Sequence, residues 1–133
     1  MAKLFKIVIV LLLLITALNA MVAGGMFVFD PSGHQMGLNA EYLKYSPFNT
    51  FLIPGIVLFL VNGVMNLFTA VMVVKNHPQL KKLVTLQGIL LSGWIVVQVL
   101  MVRDINPLHI VMISVGVIFI VFGTTYKIKT EDD

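Results

Sequence analysis

The sequence contains no cysteine, and only 11% of its 133 residues are charged. Without cysteine there is no disulfide framework, no thiol redox chemistry, no thiolate-bound zinc and no iron–sulfur cluster. The six acidic residues, Asp30, Glu41, Asp104, Glu131, Asp132 and Asp133, all lie outside the long apolar runs. Those runs therefore lack the embedded carboxylate through which small proton-coupled exporters work. Proline occurs five times, and only Pro54 falls inside an apolar run, so the other runs carry no helix breaker. The formal charge of +3 and the pI near 9.3 resemble a nucleic-acid footprint. In so apolar a chain they reflect lysines that set membrane orientation, and no nucleic-acid partner is expected.

What the chain has in excess is hydrocarbon. It is 59% hydrophobic, against roughly 45–50% for a soluble domain. A spanning helix needs about 20 apolar residues. Four segments qualify, at about 7–29, 51–74, 83–102 and 108–125, and none contains Asp, Glu, Lys or Arg. Lys3, Lys6 and the apolar stretch after them also resemble a signal peptide ending near Leu18-Asn19-Ala20. The run continues to Phe29, beyond a signal core, so it is expected to stay as a span.

Lysine placement predicts the threading. Seven of the nine basic residues (Lys3, Lys6, Lys75, Lys81, Lys82, Lys127 and Lys129) fall on one side, and Lys44 and Arg103 on the other. The expected fold is an all-α integral membrane four-helix bundle, up-down-up-down, as one transmembrane domain over residues 1–133. Both termini are then cytoplasmic, with an outer loop at 30–50. The lysines around the 75–82 loop should favour anionic lipid head groups, by about 1 kcal/mol each. Phe27, Phe29, Tyr42, Tyr45, Phe48 and Phe51 suit one interfacial belt, and Tyr126 the other.

The outer loop begins with Asp30-Pro31-Ser32-Gly33, a turn signature. Asn39 can cap a short helix running through Tyr45. Ser46-Pro47 reads as a helix start, and Pro54-Gly55 follows. Two arrangements are open: a second helix kinked at Pro54, which we favour, or a separate 47–53 segment with the span starting at Pro54. The loop is longer than packing needs, and such loops can cap a site.

Polar residues inside the runs fall on stripes of helical spacing. Asn62, Asn66 and Thr69 form one, and Gln87, Trp94 and Gln98 another. Thr16 and Asn19 share a face on the first run, and Ser114 lies mid-depth in the fourth. Such faces should point inward. Asn62, Asn66, Thr69, Gln87 and Ser114 are expected to make interhelical polar contacts. Trp94, Gln98, His109, His34 and Asn19 are the candidate ligand-binding residues, since a mid-membrane indole with nearby amides presents a flat apolar wall and a donor. His34 and His109 lack the spacing of a metal site, so neither a metal nor a cofactor is expected. His77 is a loop residue with no assigned role. The spans hold no nucleophile–base pair, which argues against an enzyme.

The stretch SPFNTFLIPG before the second run, the NG pair with a further Asn, GWIVVQVLM in the third run and LH opening the fourth resemble a group of small bacterial four-helix membrane proteins that are loosely DoxX-like. That resemblance covers nearly the whole chain. It implies four helices and a bacterial inner membrane, and it admits a quinone-linked membrane subunit, although no redox residue here matches one. The expected function is a non-catalytic accessory or lipophilic-ligand-binding bundle, working in the lipid bilayer with a lipid or quinone-like ligand and a protein partner or second copy. The alternatives are a small-solute transporter and a membrane subunit of a quinone-linked oxidoreductase.

Overall fold

The computed structural model of the chain describes residues 2–34, 43–102, 105 and 107–126. Its regular structure is all helical: α1 (Ala2–Phe29), α2 (Leu52–Val74), α3 (Leu80–Val102) and α4 (Pro107–Thr125). All four are long and apolar enough to cross a membrane, and in lipid a helix is the one open-ended element that satisfies its own backbone.

The helices extend past the apolar runs where lysines flank them. α1 takes in Lys3 and Lys6, and α3 takes in Lys81 and Lys82. A lysine stem lies along apolar surface while its ammonium reaches the interface, so the hydropathy boundary is not the hydrogen-bond boundary.

α2 corrects the favoured kink at Pro54. The segment 46–51 is bends and turns, and the helix starts at Leu52. Pro54 therefore stands in the first helical turn, where its missing N–H costs nothing. The irregularity comes later: Leu52–Val57 and Met65–Val74 are α-helical, and Leu58–Val64 between them is a π-helix.

The loops are built by local capping. After α2, Asn76 takes a left-handed φ of 52°. The His77 N–H donates to Met72 O at 2.9 Å, and the Asn76 N–H to Val73 O at 3.0 Å, the paired bonds of a Schellman ending. His77 has a role after all: its Nδ1 accepts from the Gln79 N–H at 3.0 Å just before α3. After α1, the Gly33 N–H donates to Asp30 O at 3.0 Å, closing the expected turn. The Phe51 N–H donates to Pro31 O at 2.8 Å and ties the entry of α2 to that turn. The proposed Asn39 cap, with Tyr42, lies outside the described residues. Phe51 stacks on Phe27 with ring centroids 4.8 Å apart and is buried, whereas Phe29 is 91% exposed. The expected belt is thus split between packing and lipid.

Glycines set how the helices meet. A Cβ on Gly24 would lie 2.6 Å from Gly55 O, and one on Gly88 would lie 2.6 Å from Gly116 O. Only glycine permits such backbone approach. α1 runs against α2 and α3 against α4 along much of their lengths, while α1 meets α4 at few points. One link near α4 is the Phe5–Phe122 ring contact at 5.4 Å. All four helices contribute to one buried cluster that includes Leu13, Val73, Val84 and Phe119.

Candidate functional site

Several polar side chains are buried within the apolar bundle. Asn62, Asn66, Thr69 and Gln87 are each at most 1% exposed, and Thr16 of α1 is buried as well. Their positions follow from spacing. On α3 the buried positions are Leu80, Val84, Gln87, Gly88, Leu91 and Ile95, one continuous helical stripe. On α2 the buried face is Asn62, Asn66, Thr69, Ala70 and Val73.

The bonds made by these side chains run within α2. Asn66 Nδ2 donates to Asn62 O at 2.7 Å, and Thr69 Oγ1 to Met65 O at 2.8 Å. Asn62 Nδ2, Asn62 Oδ1, Asn66 Oδ1 and Gln87 Oε1 are buried without a hydrogen-bond partner among the described residues, as is Ser92 Oγ. The α2 bonds thus differ from the interhelical contacts expected of these side chains. Each unpaired buried polar group costs roughly 1–3 kcal/mol, so a layer of them is an expensive feature for a small fold.

The π-helical segment belongs to the same layer. It contains Asn62 and Gly63 and ends just before Asn66, whose amide captures the Asn62 carbonyl. A side chain that inserts into the backbone ladder is a recognised cause of such local widening, and these segments gather at functional sites. Gly63 lets the widened turn pass Met21, whose Cγ would lie 2.5 Å from an added Cβ.

A second feature lies at the α3–α4 turn. An apolar groove of about 290 Å³ is walled by Val96, Val99, Leu100 and Ile105, with Ile110 and Ile113 opposite. His109 lines it and is only 7% exposed. A volume near 300 Å³ is at the small end of ligand pockets.

The other candidate residues are dispersed. Trp94 is half-buried against the central cluster, and Gln98 is half-buried; neither lines the groove. His34 is exposed, and its backbone N–H donates to Ser32 Oγ at 3.3 Å. Two residues expected on inward faces are not there. Asn19 is exposed, because α1 buries Leu13, Ala17, Ala20 and Gly24 and leaves Asn19 on the flank. Ser114 is exposed too, with its hydroxyl returned to Ile110 O at 2.8 Å. A serine bonded to its own helix needs no partner on another. Among the described residues no group of His, Asp or Glu could hold a metal ion.

Sequence reasoning missed the groove, whose walls are ordinary aliphatics, and the π-helix. The usable signal for the latter was the pair Asn62-Gly63 with a second Asn four residues on. The chain matches no family model, no curated protein and no solved structure.

Proposed function

We propose that this chain is a non-catalytic multi-pass protein of a bacterial inner membrane that binds a lipophilic molecule, a lipid or a quinone-like compound, in the α3–α4 groove. The carrying observation is His109, nearly buried on a groove whose other lining, among the described residues, is aliphatic carbon. An imidazole has two ring nitrogens, so it can keep a partner in the protein and still turn one polar atom to a ligand, and one such group on an apolar wall orients a ligand without reacting with it. The threading is up-down-up-down with both termini cytoplasmic. It is supported by the lysine asymmetry and by close approaches that pair Gly24 with Gly55 and Met21 with Gly63. The DoxX-like resemblance is consistent with the same setting. Asn19, exposed among Leu18 and Val22, is where a partner chain or second copy would meet α1.

The test is binding of a short-chain quinone and of a fatty acid to purified protein in lipid nanodiscs. His109→Leu keeps the apolar wall and removes the ring nitrogens, so affinity should fall about three- to tenfold, the worth of one hydrogen bond. Ile110→Trp, at an exposed groove position, should block binding. No binding by the parent, or binding unchanged in both variants, refutes the reading.

A second reading, a small-solute transporter, is favoured by the unpartnered amides of the central layer. Solute flux into proteoliposomes that is lost on Asn62→Leu would select it over the groove.

A further inference from the structure

A second groove, of about 510 Å³, lies beside the α2–α3 loop, and its lining changes character from one end to the other. Pro78, Lys81 and Lys82 form one end, with Gly123 beside Lys81 and Thr85; Leu86 and Ile89 form the other. We infer that this groove is a binding site for one anionic glycerophospholipid, with its phosphodiester on Lys81 and Lys82 and an acyl chain along Leu86 and Ile89. This inference is independent of the α3–α4 groove near His109.

Three observations carry it. First, both lysines stand in the first turn of α3, and that turn holds no acidic residue. The positive end of the helix dipole adds to the ammonium charges there and is answered by nothing in the turn. Second, the groove runs along the helix axis. From Lys81 to Ile89 is about 12 Å at 1.5 Å per residue, enough to pass from the head-group level into hydrocarbon. Leu86 and Ile89 are 41% and 54% exposed, so the apolar end is open to a chain lying alongside. Third, Gly123 lets α4 pack directly on Thr85 and the Lys81 carbonyl, where an added Cβ would lie 2.7 Å from that oxygen, so α4 backs the lysine end of the groove. The Thr85 hydroxyl beside it donates to Lys81 O at 2.8 Å, so that carbonyl does not oppose an anion. A phosphate needs cations and a chain needs an apolar trough; a free phosphate would use only the first.

Native mass spectrometry from mild detergent tests the assignment, with phosphatidylglycerol, phosphatidylcholine and glycerol phosphate added separately. The parent should retain phosphatidylglycerol in preference to phosphatidylcholine and should not retain glycerol phosphate. Lys81→Gln with Lys82→Gln should lower phosphatidylglycerol retention about 25-fold, taking about fivefold per lysine near a membrane surface. Lys75→Gln removes a charge from the same loop but not from the groove, and should have little effect. Ile89→Asn should weaken lipid retention with both lysines intact. An equal loss in Lys75→Gln overturns the site in favour of a diffuse basic field. Retention of glycerol phosphate as strong as that of the lipid overturns the lipid. Absence of retention in the parent, with its appearance on neutralising Glu131, Asp132 and Asp133, assigns the lysines to the chain's own acidic end and also overturns it.

Discussion

Replacing Asn66 with leucine sets two terms of opposite sign against each other. Asn66 is fully buried; its Nδ2 donates to Asn62 O at 2.7 Å, while its Oδ1 has no partner. Leucine is close in size, so little cavity or overpacking energy enters. The lost hydrogen bond is worth about 0.6 and at most about 1.7 kcal/mol inside a membrane protein. The orphan carbonyl removed at the same time cost roughly 1–3 kcal/mol. The balance is near neutral, or stabilising by up to about 2 kcal/mol. Asn66→Ala removes the same polar atoms but leaves a void, and should destabilise by about 2 kcal/mol or more. Reversible unfolding in mixed micelles titrated with a denaturing detergent measures both. A loss above about 2 kcal/mol in Asn66→Leu would mean that Oδ1 is held by a water, ligand or neighbouring group, and would refute the bookkeeping. A stabilised leucine variant that has lost ligand binding or flux would show that the layer is retained for function at a cost in stability.

The glycine seams make a sharp comparison. Gly123→Ala places a Cβ against the Thr85 hydroxyl and 2.7 Å from Lys81 O, and should cost about 1–3 kcal/mol in the same unfolding assay. Gly93→Ala meets nothing within 4 Å, so it should be neutral or gain up to about 1 kcal/mol from helix propensity. Phe51→Ala breaks the 4.8 Å stack on Phe27 at a buried site and should cost about 3–5 kcal/mol. Phe29→Ala, on a nearly fully exposed ring, should fall within about 0.5 kcal/mol of the parent.

Helix number and approximate position were legible in the sequence, because a 20-residue apolar run in lipid has one way to satisfy its backbone. Helix ends were less so: hydropathy stops at Lys81 and Lys82, but the backbone bonds of α3 do not. Facing was the harder problem. When both sides of a helix are apolar, the contrast that orients a soluble helix disappears, and polar residues become the tempting guide. That guide worked for Asn62, Asn66, Thr69 and Gln87, which are buried together. It failed for Asn19 and Ser114. Gly24, Gly55, Gly88 and Gly116 were the better markers, since each sits where backbones nearly touch. Following α1 through Gly24 and Ala20 leaves Asn19 about 100° off the seam. The π-helix was not legible from periodicity, and a side chain bonded to a carbonyl four residues back does not mark it, since Thr85 and Ser114 make the same bond within ordinary α-helix.

The division of labour in the fold follows from these contacts. Glycine pairs bring α1 against α2 and α3 against α4 at backbone distance, where dispersion and tight packing supply most of what holds helices together in lipid. The two pairs meet each other over less of their length, through an apolar cluster that includes Leu13, Val73, Val84 and Phe119, and the unpartnered amides of Asn62, Asn66 and Gln87 are buried in addition to it. Apolar side chains at the three amide positions would be cheaper, because each unpartnered buried polar group costs roughly 1–3 kcal/mol. Adding a Cβ in the glycine seams should therefore destabilise the protein, whereas replacing a buried amide with a leucine of similar size should leave it as stable or more so.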